Sequence, residues 1–274
     1  MTVQLDQTVT RDDNAPRPVS DRPFQDKVVL VTGGSDGIGA ATARLLCAGG
    51  ARVAVNYSAD QGRADALVRD LTGAGGQAVA VRADVTDPDA VAELTDRVTA
   101  ELGPIDVLVA SASGLYGHDV PPVEFDQLDW AATERIVMRR VRSFFFPLKA
   151  VLPGMVERGQ GSIVVVASSL SRVPAAAMLP ISMGQAAVEA GVKSLAREVG
   201  PRGVRLNAVA PNFILTGATA FVPDEFKRMV AERSAVRRNG YAEDVAETIA
   251  FLASDRASYL TGTYLIVDGG AAML

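Results

Sequence analysis

The chain has 274 residues, 48% of them hydrophobic, which is enough to bury the core of one α/β domain. A formal net charge of −5 with no long basic run argues against a nucleic-acid partner. No apolar run reaches the ~18 residues of a membrane span, and Cys47 is the single cysteine, so an intrachain disulfide is excluded and a reducing, cytoplasmic setting fits.

Residues 1–24 have no apolar periodicity and carry RDDNAPRPVSDRP, so they are expected to form a flexible N-terminal arm ahead of one domain over 25–274. Val28 to Val31 is an unbroken apolar run, as a strand buried on both faces of a parallel sheet reads. It leads into Thr32-Gly33-Gly34-Ser35-Asp36-Gly37-Ile38-Gly39 and then into AATARLLCAGG, which has helical spacing. Strand, glycine-rich turn and helix together suggest a phosphate site: the glycines let a pyrophosphate approach the backbone, and the helix N-terminus offers N–H groups and partial positive charge. A glycine turn with no ligand stays open on spacing alone.

Further strands are expected in ARVAVNYS, GGQAVAVRADVTD, PIDVLVASASG, GSIVVVASS, VRLNAVAP and TYLIVDGG. Between them the spacing predicts helices from Ala59 to Leu71, over DAVAELTDRVTAELG, after Asp126, from Ser182 to Val199 and over EDVAETIAFLAS. Repeated βα units make a doubly wound parallel sheet with helices on both faces. Ligands in such sheets bind beyond the carboxyl ends of the strands.

The TGxxxGIG pattern from Thr32 to Gly39 resembles the cofactor motif of the short-chain dehydrogenases/reductases, and the similarity runs nearly to the C-terminus. The resemblance implies a Rossmann-type fold, a nicotinamide dinucleotide and a homotetramer built on two long helices. It assigns the turn residues Gly33, Ser35, Asp36, Gly37, Ile38 and Gly39 to the cofactor. The second strand ends in Asn56, Tyr57 and Ser58, with no acid to repel a ribose 2′-phosphate, so NADP(H) is expected over NAD(H). Many members that prefer NADP carry Arg or Lys where this chain has Asp36. Asp84-Val85 resembles the pair that contacts adenine. Ala110-Ser111-Ala112-Ser113-Gly114 stands where the family shows Asn-Asn-Ala-Gly, and Pro211-Asn212 where it shows Pro-Gly. Ile214 and Thr216 match the segment that holds the nicotinamide amide.

The catalytic pattern departs from the family. Of its Ser, Tyr, Lys and Asn, only Ser168 is matched. Ile181 stands at the Tyr position, Gln185 at the Lys position and Arg140 at the Asn position. Ile181 cannot give a proton, and Gln185 can hydrogen-bond a ribose but carries no charge. A replacement acid could come from Tyr116 or His118 in the loop after the fourth strand, beside Asp119. That loop could equally be a solvated one. Arg140 could face a developing oxyanion or, with Arg139 and Arg142, serve a helix face at a subunit contact.

An apolar pocket is expected from Leu115, Met178, Leu179, Ile181 and Phe213, suited to a flat ring. No metal site is expected. The function expected is that of an NADPH-dependent ketone or quinone reductase with an atypical active site, acting on a hydrophobic polycyclic aromatic or polyketide-derived small molecule. The alternatives are a non-redox enzyme on the same scaffold, and a catalytically inactive NADP-binding sensor or partner.

Overall fold

A computed structural model describes residues 22–113 and 122–273. Its strands are β1 (Val28–Thr32), β2 (Arg52–Tyr57), β3 (Gln77–Arg82), β4 (Val107–Ala110), β5 (Gly161–Val166), β6 (Val204–Pro211), β7 (Ile214–Leu215), β8 (Gly240–Tyr241) and β9 (Tyr264–Val267). Its helices are α1 (Gly37–Ala48), α2 (Gln61–Gly73), α3 (Pro88–Leu102), α4 (Trp130–Glu157), α5 (Leu179–Val199), α6 (Asp224–Arg233) and α7 (Ala242–Ala253).

Seven strands form one parallel sheet in the order β3-β2-β1-β4-β5-β6-β9, while β7 and β8 pair separately. The reversal of strand order beside β1 opens the crevice in which this architecture binds ligands.

Alternation along β1 explains the two layers. Val28 and Leu30 face a core with Leu94, Val98, Leu148 and Val192 from α3, α4 and α5. Val29 and Val31 face the opposite core, with Leu46, Leu67 and Ile249 from α1, α2 and α7. All four strand residues are fully buried, each contributing about 1.5–3 kcal/mol of transfer free energy. Phe24 packs in the second core too, inside the segment expected to be an arm.

The expected elements form, with differences at two helices and with the short strands β7 and β8 added, which the sequence reading did not give. α5 begins at Leu179 rather than Ser182, because Pro180 in a first turn has no need of its missing N–H. The sequence reading gave no helix over 224–233: α6 has no buried residue, and its apolar face is limited to Phe226, Met229 and Val230. Among the described residues no helix is long and apolar enough to cross a membrane.

Candidate active site

The turn after β1 is built by close backbone approaches. Gly33 has φ +61°, and a Cβ there would lie 3.0 Å from the backbone nitrogen of Ala112. A Cβ at Gly39 would collide with the Gly33 carbonyl oxygen. The Asn56 side chain, 1% exposed, ties this turn to its neighbours. Its Oδ1 accepts from Gly33 N–H at 3.2 Å, and its Nδ2 donates to the carbonyls of Val81 and Ala83 at 3.3 and 3.1 Å. Thr32 Oγ1 accepts from Ala112 N–H at 3.2 Å and fixes the exit of β4. The ends of β1 to β4 thus make one floor.

A cavity of about 330 Å³ lies on that floor. Gly33, Ser35, Asp36, Tyr57, Ser58, Asp84, Val85 and Ala112 line it, so the expected cofactor residues of the first three strand ends and Ala112 come together here, while Gln185, Asn212 and Ile214 do not join them. Ser111, half-buried, immediately precedes Ala112 at the exit of β4. Ile38 and Ala110 pack their side chains on the core, which leaves only their backbone for a ligand. Asp36 is also otherwise engaged. It caps α1 by accepting from Gly37 N–H at 2.7 Å and forms an ion pair with Arg63.

Arg63, on the first turn of α2, lines the same cavity and also pairs with Asp60 at 3.1 Å. Sequence reading passed over it, because nothing in its spacing shows that α2 aims it at the glycine turn. Burial alone would raise the Asp84 carboxyl. Hydrogen bonds from Thr86 N–H and Oγ1, both 2.8 Å, and the Arg139 guanidinium at 3.6 Å outweigh burial and bring it below its usual range.

A cavity with a bare glycine wall, backbone approaches and a guanidinium at its rim fits a nucleotide phosphate and ribose. Thr216 extends this wall, its methyl lying 3.1 Å from where a Gly37 Cβ would sit. Pro211 ends β6 in register with Val267. Asn212, Phe213 and Ile214 line a different cavity, of about 270 Å³, with Val230 and Asp268. Phe213 packs edge-on to Phe226 there, with ring centroids 5.6 Å apart.

The second part of the site lies at the end of β5 and along α4 and α5. Ser168 is half-buried, and its Oγ accepts from Leu170 N–H at 3.3 Å. Its carbonyl accepts from the Tyr264 hydroxyl at 2.7 Å. Met178 and Ile181 are half-buried, and Leu179 is exposed. Arg140 is only 2% exposed. It therefore neither lies on an open helix face nor reaches a ligand directly, contrary to both expectations for it. Its Nε donates to Gln185 Oε1 at 3.1 Å, Nη1 to Ser143 Oγ at 3.3 Å and Nη2 to the Val166 carbonyl at 2.9 Å. Burial pulls this guanidinium down to about 10. Tyr116, His118, Asp119 and Leu115 lie outside the described residues.

Beneath Ser168 sits an ion cluster that sequence reading missed. Glu189 accepts from Ser171 Oγ at 2.8 Å, Arg172 Nε at 2.8 Å and Lys193 Nζ at 2.6 Å. Burial would raise its carboxyl, but these three donors hold it at about 2. Arg172 also lies over the Tyr264 ring, 4.9 Å from its centroid. The i,i+4 spacing of Glu189 and Lys193 was the one local signal; Arg172 and Tyr264 come from other elements.

Comparisons with known proteins identify the family of this fold. Residues 33–272 match the family model described as Enoyl-(Acyl carrier protein) reductase. The chain is 42% identical over 247 residues to a cis-4-hydroxycyclohexanecarboxylate dehydrogenase of Sinomonas cyclohexanicum, covering 90% of this chain and 97% of that one. It is 35% identical over 251 residues to a 3-oxoacyl-[acyl-carrier-protein] reductase of Staphylococcus aureus, covering 90% and 98%. A double mutant of a Serratia marcescens short-chain dehydrogenase/reductase superposes with a TM-score of 0.84 at 32% identity, covering 92% and 100%. With the parallel sheet, the glycine turn and the cavity above it, these matches establish that the chain belongs to the short-chain dehydrogenase/reductase family of NAD(P)-dependent oxidoreductases.

Proposed function

We propose that this protein is an NADP(H)-dependent reductase of a ring-borne carbonyl whose developing negative charge is delocalised, as in a quinone or a polycyclic aromatic or polyketide-derived ketone. What carries the reading is the pair Ile181 and Gln185, 13 and 17 residues after Ser168, where the resemblance places the family's Tyr and Lys. An isolated ketone develops a localised alkoxide, and losing a positioned acid costs about 10²–10⁴ in rate. A conjugated ring spreads that charge and takes its proton later.

When bound, the nicotinamide supplies the hydride. Ser168 orients the substrate oxygen, and Met178, Leu179 and Ile181 give an apolar wall that excludes water. Tyr116 or His118 is the proposed late proton donor. The preference for NADP rests on the absence of an acid among Asn56, Tyr57 and Ser58 at the end of the second strand and on the Arg63 guanidinium at the cavity rim. The Sinomonas relative, named for a hydroxycyclohexane ring, supports a ring-borne oxygen; that ring is saturated, so delocalisation rests on Ile181 and Gln185 alone.

We also propose a homotetramer in the cytoplasm. Its support is the outer face of α4 and α5, where Phe145, Leu152 and Leu195 line a hollow of about 480 Å³. Light scattering that gives a 28.7 kDa particle would refute assembly.

The enzyme test is to supply quinones, aromatic ketones and aliphatic ketones with NADPH and follow absorbance and product. Quinones should turn over fastest; faster aliphatic turnover would refute delocalisation. The absence of a side-chain acid at Ile181 favours one second reading, a non-redox enzyme or inactive NADP-binding protein. That reading requires binding, or conversion, with no net NADPH loss.

A further inference from the structure

Arg140 and Gln185 are buried against each other between α4 and α5, 2% and 7% exposed. A guanidinium has five N–H donors and no acceptor. Its Nε contact at 3.1 Å must therefore end on the amide oxygen of Gln185, not on the amide nitrogen. The other two nitrogens of Arg140 end on neutral oxygens of Ser143 and Val166 and hold the guanidinium in one plane. Turning the Gln185 amide over would set N–H against N–H in a buried site, where an unmade hydrogen bond is costly. The Gln185 Nε2 has no partner among the described residues, yet it is not among the atoms sealed from solvent. It is the outward polar end of the pair.

We propose that Arg140 is a positioning residue that locks Gln185 with its amide nitrogen outward, so that α5 presents a neutral N–H donor to a hydroxyl-bearing ligand. Under the function proposed above, on which the identity of this ligand rests, the ligand is a ribose of the cofactor. The positive charge is thereby held one helix back, on α4. The neutral donor grips without titrating and does not lower the pKa of an acid beside it.

The orientation is testable without any ligand. Gln185→Glu places a carboxylate on the guanidinium, and Gln185→Lys places a second cation there. In the ligand-free protein the Glu variant should melt at or above the wild-type temperature, and the Lys variant clearly below it or not fold. In an Arg140→Met background this difference should vanish. The reverse order, or a Glu variant that fails to fold, would overturn the orientation.

Calorimetric titration with NADPH supplies the second readout. Gln185→Glu should weaken binding by about ten-fold or more, since it removes the outward donor. Unchanged affinity would overturn its gripping role. If wild type binds NADPH and shows this pattern but reduces no carbonyl, the proposed function fails and the Arg140 assignment stands. If wild type binds no NADPH, the function fails likewise, and the melting order alone decides Arg140.

Discussion

At the glycine turn, buried polarity is met by neutral groups of the backbone. Asn56 serves Gly33, Val81 and Ala83 at once, and the cations at the rim stay half in water. Along α4 and α5 the chain buries a full charge, Arg140, on three neutral oxygens, and one turn of α5 beyond Gln185 it gathers Glu189, Arg172 and Lys193. The first region tolerates little change in shape, because backbone touches backbone. The second tolerates little change in charge, because each ion depends on named partners. One edge of the sheet is thus shaped by backbone geometry, and the other by the pairing of charges.

The largest expected effect tests the shape-limited region. Gly39→Ala forces a methyl into the Gly33 carbonyl; thermal unfolding should show a loss of about 3 kcal/mol, together with loss of NADPH binding. If binding survives, backbone approach is not what shapes the turn.

The next test addresses charge. Glu189→Gln should cost about 2 kcal/mol, since it removes the ionised acceptor of three donors. The sign with pH follows from the depressed carboxyl. Held at about 2 in the fold against 4.5 as its ordinary value, Glu189 contributes stability that is fully present above pH 4.5 and is lost as pH falls toward 2. Denaturant titrations of both proteins should therefore converge on acidification. Parallel curves would remove Glu189 from the account.

A smaller effect is expected at the rim. Arg63→Ala should weaken NADPH by about ten-fold and leave NADH unchanged, as calorimetry would show. Equal loss for both would make Arg63 a support for Asp36 alone. The smallest is Tyr264→Phe, which deletes the hydroxyl on the Ser168 carbonyl; about 1 kcal/mol should be lost, with kcat more affected than KM.

The sheet was readable because its signals are local. Val28 to Val31 and the glycines after it show strand, turn and helix within a dozen residues. Tyr57, Ser58, Asp84 and Ala112 of the cavity lining were readable for the same reason, since each ends or follows a recognisable strand. The start of α5 was not, because Pro180 reads as a stop yet sits where a helix tolerates it. Pairings across the fold were hidden altogether. Arg140 meets Gln185 across 45 positions, and Arg63 meets Asp36 across 27. No periodicity within either segment records such a meeting. Arg140 reads in the sequence either as a partner for an oxyanion or as part of a helix face at a subunit contact, and its burial removes both.

The Tyr264–Ser168 hydrogen bond also has a consequence in time. Its donor lies 96 residues after its acceptor. At synthesis rates of about 5–20 residues per second, the loop carrying Ser168 waits on the order of 5–20 s for the strand that braces it. The ends of β1 to β4, which carry much of the cavity floor, are already spelled out by then. A nascent chain therefore carries the ends of β1 to β4 before it carries the hydroxyl that braces Ser168, and the last strand of the sheet, β9, is the clasp of that loop.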